Sequence, residues 1–308
     1  MILRQQAFAE NGEFLKGGLH CHTTRSDGRG DPADVMRLHA ANGYDFLAIT
    51  DHRRYNRWNF APETNLIIIP GMEMDNDFDR GHGRRTFHTV CIGRQNAENP
   101  YEQDQTFDHG TANDQLEYQP TLDKLHADNQ MTIYCHPEWS NTPARYFEKL
   151  QGNFAMELWN TGCARNCQCD TDGAYWDELL GQGIRIFGVA SDDAHQMKDH
   201  CGGWVMVRAE RNVDSILDAL AAGKFYASCG PVIHDFYVED NVAHVITEPC
   251  CRVRFLADKH APCFVEQKDG TLTHAQMSLG APGNYAYIRA SVIDSDGNKA
   301  WTNPIFLD

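Results

Sequence analysis

His20-Cys21-His22, running on to Ser26-Asp27-Gly28, is the stretch around which the rest of this chain is organised. A β-strand repeats every two residues, so His20 and His22 project from one face while Cys21 points to the other. Two imidazoles on one face, a carboxylate five residues past the second and a glycine where the chain must turn make one corner of a metal site. With 15 histidines in the chain, such a pair can arise by chance, so the tripeptide alone decides nothing. Its weight comes from further His and acidic residues that follow strand-like runs one after another.

Those runs are met in order. Asp31-Pro32 opens a helix, Asp as N-cap and Pro at the first turn, that runs through Val35, Met36 and His39 and stops near Gly43. Residues 46–50 read as a buried strand, apolar on both faces as parallel strands are, ending in Asp51-His52. Residues 66–69 form the next and deliver Glu73 beyond Pro70-Gly71; residues 87–92 carry His88. Residues 95–119 are polar and aperiodic and read as a surface excursion. A helix over 121–129 precedes a strand over 131–135 that ends in His136. A strand over 154–159 contains Glu157 and leads to Asn160; a helix covers 175–180. Residues 184–190 form a strand ending in Ser191-Asp192-Asp193-Ala194-His195, and a strand at 204–208 and a helix at 213–222 follow.

Alternating strands and helices indicate a parallel α/β architecture. Asp51-His52, Glu73, His136 and Asp193/His195 all fall just past the carboxyl end of a strand, where α/β barrels place their active sites. From about Pro231 the pattern changes to short alternating runs without helices, with the turn Asp296-Gly297 between two of them. The expected organisation is an α/β barrel over residues 1–231 and a small antiparallel β domain over 232–308.

The totals narrow the function. A length of 308 residues allows one large domain, or one large and one small, and a hydrophobic fraction of 42% fills a sizeable core. A net charge of −16 without long charge blocks disfavours a nucleic acid polymer as partner. A small anionic substrate remains compatible, because bound cations invert the local field. Residues 1–10 have no apolar core of the signal-peptide kind, and no apolar run approaches the roughly 20 residues of a membrane span. The expectation is a cytoplasmic protein with no membrane partner. The 11 cysteines, an odd count, read as free thiols; Cys163, Cys167 and Cys169 cluster, but no CxxC pair has a matching partner.

Taken together, His20-Cys21-His22 with Ser26-Asp27-Gly28, Thr50-Asp51-His52, Gly71-Met72-Glu73, His88, His136-Pro137 and Asp193-Ala194-His195 resemble the PHP (polymerase and histidinol phosphatase) metal-dependent phosphoesterases, in that family's order and over residues 18 to about 231. The phrase from Gly223 to Pro231 and the closing Asn303-Pro304-Ile305-Phe306-Leu307 look like the CehA/McbA-type branch. The resemblance implies a distorted (β/α)7 barrel holding two or three metals in a row. Carried over, His20, His22, Glu73 and Asp193 hold the first metal, and Asp27, His52 and His195 the second. Glu73 bridges to a third, held also by His88 and His136. Members often have His where this chain has Asp27, which shifts the second position towards harder ions such as manganese. Mixed His and carboxylate ligands suit Mn, Zn or Fe, and a metal-bridging hydroxide is the expected nucleophile.

Other residues carry open alternatives. Asp51, also a candidate for the catalytic group with Glu73, Asp193 and His195, either orients a histidine N–H or caps the element that follows; Asp192 is read the same way. Glu157 and Asn160 are either neighbours of the ligands or solvated polar groups. Arg53, Arg54, Arg165 and Lys224 are candidates for a substrate phosphate. His39, His126, His234 and His244 stand outside the pattern and are assigned structural roles; Trp139, Trp159 and Trp204 are assigned to core or rim.

Three functions compete. The first is hydrolysis of a small phosphate ester, such as a nucleotide or sugar phosphate. In the second, the same site hydrolyses a carboxyl ester, carbamate or amide; the third is a non-catalytic metal-binding module. Substrate choice is expected to lie in loops 75–86, 95–119 and 161–174, where no pattern is legible, and the oligomeric state is open.

Overall fold

The computed structural model describes residues 4–76, 85–259 and 263–307; of the 75–86 loop, residues 77–84 lie outside the described residues. The strands form three sheets of four, ten and five. The five-stranded sheet runs in the order Gly71–Asn76, Phe87–Ile92, Met131–Tyr134, Asn153–Asn160 and Phe187–Ser191. Its first three strands pair antiparallel and its last three parallel. The ten-stranded sheet contains the parallel set Glu13–Gly18, Phe46–Leu47 and Ile67–Ile68. Trp204–Ala209 then pairs antiparallel with Glu13–Gly18.

The architecture is thus mixed α/β, but no closed barrel forms. Between the two larger sheets the ladder is reduced to isolated parallel bridges, Cys21 with Ala194 and His52 with Glu73. The ladder of the ten-stranded sheet ends at Ile67–Ile68, a strand of two residues, and does not continue into Gly71–Asn76. The chain from Gly71 to Ile92 turns back on itself, so its pairing is antiparallel. The two sheets still share a core: Leu19, Ala48, Ile69, Val90, Ile133 and Val189 pack together from both. The open side lies at the carboxyl ends of the parallel strands and at the amino end of Phe87–Ile92, where His88 stands.

Helix α1, Pro32–Ala41, starts as expected: the Asp31 side chain accepts from the Ala33 N–H at 3.0 Å, and Val35, Met36 and His39 form its buried face. It ends at Asn42, and Gly43 takes φ +75°, a region glycine enters without a Cβ clash. Helix α2, Gln115–Ala127, begins inside what read as the polar excursion. Asp114 caps it, and Tyr118 anchors its first turn by stacking on Phe87 at 5.0 Å. Helix α3, Thr161–Cys167, was not legible; at 7 residues it is too short for a periodic signal, and Asn160 caps it from the strand end. Helices α4, Asp172–Gly181, and α5, Val213–Ala221, follow the expected positions. Among the described residues no helix is long and apolar enough to cross a membrane. All eleven cysteines are free thiols.

From Ile233 onwards the chain is entirely β among the described residues. A four-stranded antiparallel sheet, Gln5–Gln6, Ile233–Glu239, Val242–Cys250 and Leu272–Ser278, packs Phe236, Val245 and Ala275 against Phe255, Ile288 and Val292 of the ten-stranded sheet. That larger sheet continues without a break from Lys299–Thr302 to Phe225–Ser228.

Candidate metal centre

The site begins where Glu13–Gly18 runs out. The extended chain continues beside residues 193–194, with Asp193 N–H donating to His20 O at 3.0 Å and His22 N–H to Ala194 O at 3.2 Å. Alternation sends the Cys21 side chain into the apolar group of Val35, Leu47 and Ile49, and sends His20 and His22 the other way. The turn after them needs a glycine. A Cβ on Gly28 would stand 2.5 Å from the His22 carbonyl carbon, so any side chain there pushes the loop off its histidine.

Glu73 is the centre of the arrangement, fully buried on Gly71–Asn76. Its Oε1 lies 3.0 Å from His88 Nδ1, 3.4 Å from His20 Nε2 and 3.6 Å from His136 Nε2. Its Oε2 lies 3.1 Å from His52 Nδ1 and 3.3 Å from His22 Nε2. Asp193 faces it, with Oδ1 3.0 Å from His22 Nε2 and 3.4 Å from His20 Nε2, and Oδ2 3.7 Å from His136 Nε2. At the solvent side Asp27 Oδ2 is 3.3 Å from His195 Nε2 and 3.7 Å from His52 Nε2. Three sets of metal-capable ligand atoms result: His20, His22, Glu73 and Asp193; His22, Asp27, His52 and His195; and Glu73, His88 and His136. Every residue expected to hold a metal falls into one of these sets, and His22 reaches two of them.

The residues fit a cation. Glu73 Oε2, His52 Nδ1 and His88 Nε2 are buried without a hydrogen-bond partner, and orphaned groups of this kind cost about 1–3 kcal/mol each. His20 Nε2 and His22 Nε2 are 3.2 Å apart while both face the same two carboxylates. A donor set of imidazole and carboxylate matches Mn, Zn or Fe rather than an all-oxygen cage. The backbone is held accordingly: Asp193, His136 and Arg53 have φ of 45°, 29° and 53°, a region non-glycine residues enter only when the surroundings enforce it.

Charge in this cluster is set by mutual contact. Burial alone would push the His22 imidazole down, but the Asp193 and Glu73 carboxylates outweigh it and hold it up to about 10. His20 and His136 are raised against burial by the same pair, and His195 is raised by Asp27. Burial would raise Glu73 and Asp193; the surrounding imidazoles hold both below the usual carboxylate range. The metal-free protein therefore keeps protons on imidazoles that ligation must strip. Metal uptake at neutral pH is expected to release at least one proton per chain. Apparent affinity should climb as pH rises from 6.5 towards 10, where His22 gives up its own proton. Calorimetry in buffers of different protonation enthalpy measures this, and uptake without proton release would contradict the assignment.

The supporting shell resolves the open alternatives. Glu157 orients the ligands: Oε1 meets His20 Nδ1 at 2.7 Å and the Ser191 hydroxyl, while Oε2 accepts from His136 N–H and Asn160 Nδ2, each at 3.0 Å. Asn160 Nδ2 also donates to Asp193 Oδ2 at 3.0 Å. Asp51 does not touch a ligand imidazole by hydrogen bond. It caps the turn after His22, accepting from Thr23 N–H at 2.7 Å and Ser26 Oγ at 2.8 Å. Asp192 likewise takes the N–H groups of Cys201, Gly202 and Gly203.

Of the four basic candidates, Arg53 alone lines the cleft over the cluster, with Nε 3.3 Å from Asp75 Oδ1. Arg165 donates to Lys198 O at 2.6 Å beside Trp159 and Trp204, Lys224 donates to Gln6 O at 2.9 Å, and Arg54 pairs with Asp104 at 3.0 Å. Arg165 and Lys224 are thus engaged by backbone carbonyls and Arg54 by a carboxylate, and none of the three lines the cleft. Arg25, not singled out from sequence, is at the cleft instead, ion-paired with Asp104. Asp75 was also missed, although it follows Glu73 by two on the same strand and so shares its face; its Oδ2 is 3.2 Å from His52 Nδ1. Trp139 is at the rim, 46% exposed, with its ring edge-on to His136 at 4.9 Å. The cleft measures about 870 Å³ and opens to solvent.

No family model and no curated protein matches the chain. Solved structures of similar fold include PHP-like proteins. One is a two-domain protein from Bacteroides vulgatus containing a predicted PHP-like metal-dependent phosphoesterase, at 12% identity and TM-score 0.49, over 99% of this chain and 90% of that one. A candidate metal-dependent phosphoesterase from Bifidobacterium adolescentis matches at 12% identity and TM-score 0.42, over 61% of this chain and 88% of that one. An amidohydrolase from Chromobacterium violaceum, solved with sulfate and no metal, matches at 14% identity and TM-score 0.41, over 59% and 88%.

Proposed function

We propose that this chain is a metal-dependent phosphoesterase that hydrolyses a small phosphate ester, of the nucleotide or sugar phosphate kind. The observation that carries the reading is the joining of three His/carboxylate sets through Glu73 and His22 under a cleft rimmed by guanidinium groups. His20, His22, Glu73 and Asp193 hold one divalent ion of the Mn, Zn or Fe class. His22, Asp27, His52 and His195 hold a second, and Glu73, His88 and His136 a third. When bound, such ions supply Lewis acidity to a phosphoryl group and activate water near neutral pH.

The chain's own residues divide the remaining work. Arg25 and Arg53 face the cleft and offer planar donors to the non-bridging oxygens of an ester that a chain of net charge −16 would otherwise repel. Glu73 and Asp193, both ionised, supply the negative charge that the facing imidazoles and the ions share. His195, 36% exposed at its side chain, has Nδ1 3.0 Å from Asp193 O, which turns Nε2 towards Asp27 and the second ion. Trp139 walls the rim and keeps water from one side of the ester.

The test compares manganese-loaded protein on a generic phosphomonoester, a phosphodiester and a carboxyl ester, each with and without chelator. Phosphate release that chelator abolishes is expected, and Arg25→Ala should raise KM for the phosphate ester about tenfold, the loss of one charge-assisted contact worth about 1.4 kcal/mol. Turnover of the carboxyl ester alone would replace the proposal with carbonyl hydrolysis at the same residues. Silence on all three substrates, in protein shown to contain metal, would favour a non-catalytic metal-binding module.

A further inference from the structure

A second cluster of ligand-type side chains lies behind the site, on the far side of the residue pair Asp192-Asp193. Asp193 points into the catalytic cluster, whereas Asp192 points back towards α1 and the loop after His195. There it meets His39 of α1 and His200, and the ligand atoms of the three lie within 4.8 Å of one another. We propose that His39, Asp192 and His200 form a separate, structural site for a zinc-class metal ion, one that the sequence pattern did not mark.

Hydrogen bonding carries the inference. His39 Nδ1 lies 2.8 Å from Val35 O, a carbonyl that can only accept, so Nδ1 bears the proton. The lone pair of Nε2 is then directed at Asp192 Oδ2, 3.6 Å away, and acceptor faces acceptor. His39 is fully buried and its Nε2 has no hydrogen-bond partner. His200, 6% exposed, has none at either ring nitrogen. A neutral imidazole with no partner at either nitrogen has a lone pair to offer. A proton shared by three buried acceptors cannot satisfy them all; a cation can.

The ring geometry agrees. Two imidazoles on one tetrahedral zinc, with bonds of about 2.0 Å, place their ring centroids roughly 5 Å apart. His39 and His200 stand at 5.2 Å with their planes at 83°. Asp192 is fixed by the three amides it accepts from residues 201–203, which pre-orients its remaining lone pairs. Two nitrogens and a carboxylate favour zinc over hard ions, and the burial of all three side chains, away from the cleft, argues for structure rather than catalysis. The ion would tie α1 to the loop that presents Gln196 and Asp199 to the cleft.

The experiment uses the full chain with zinc alone as the probe. Crystals grown with zinc and measured at its absorption edge should show an anomalous peak between His39 Nε2, Asp192 and His200, distinct from any peak at Glu73. In solution, the double variant His39→Gln/His200→Gln should bind about one zinc fewer per chain than the parent. An empty position at His39, in crystals whose catalytic cluster is occupied, would overturn the proposal. So would equal zinc content in a folded double variant, and should that variant fail to fold, the anomalous measurement on the parent protein still decides.

Discussion

Glu73→Gln should reduce turnover by at least about a thousandfold, a loss of about 4 kcal/mol of transition-state stabilisation, while the fold survives. Glu73 is fully buried and faces five imidazoles, three through Oε1 and two through Oε2. The amide keeps the shape but removes the negative charge that balances them. Its NH2 must also face imidazole N–H groups or a cation on one side, donor against positive charge, and both ligand sets that contain Glu73 lose its charge at once. Added metal is not expected to restore activity, because the deficit is in charge between the sets rather than in occupancy of one. Circular dichroism and a melting curve check the fold, and metal analysis with a kcat measurement checks the site. Retained turnover in metal-containing protein would sink the assignment of Glu73.

Glu157→Gln should behave differently. Glu157 touches no cleft solvent; it holds His20 through Nδ1 and His136 through its backbone N–H, with Asn160 and Ser191 completing the set. Both oxygens accept, so an amide in either orientation sets a donor against a donor. The expected result is a metal affinity lowered about 10- to 100-fold, the usual effect of losing an orienting carboxylate behind a ligand histidine. Stability should fall by about 1–3 kcal/mol from the unpaired buried N–H. Excess metal should restore most of kcat, which separates positioning from catalysis. Activity that stays lost at saturating metal would place Glu157 in the reaction itself. Together the two variants separate the residue that joins the ligand sets from the one that orients them.

Much of the ligand arrangement was legible because it is local. Strand periodicity puts His20 and His22 on one face whatever the rest of the chain does, and the buried strands 46–50, 66–69 and 131–135 each end at a named His or acidic residue. The same periodicity pointed at Asp75, two residues past Glu73, and went unused. Asp51 and Asp192 were ambiguous for a physical reason: a strand-end carboxylate can serve a histidine or a loop amide, and only the position of loops 23–26 and 201–203 chooses between them.

Long-range packing decided the rest. Whether the parallel strands close on themselves depends on the seam between the two larger sheets, where isolated bridges such as Cys21 with Ala194 and His52 with Glu73 form and no closed barrel results among the described residues. Arg165 and Lys224 satisfy themselves on Lys198 O and Gln6 O, while Arg25 reaches the cleft, and no spacing rule orders long side chains on loops. The sequence by itself determined which residue types stand at the strand ends and on which face, because backbone periodicity is a property of neighbouring residues. Only the tertiary structure decided that His22 would reach a second ligand set, that His39 would find His200, and which arginines line the cleft. Those facts are distances between segments far apart in the chain, and they exist only once the core has brought the sheets together.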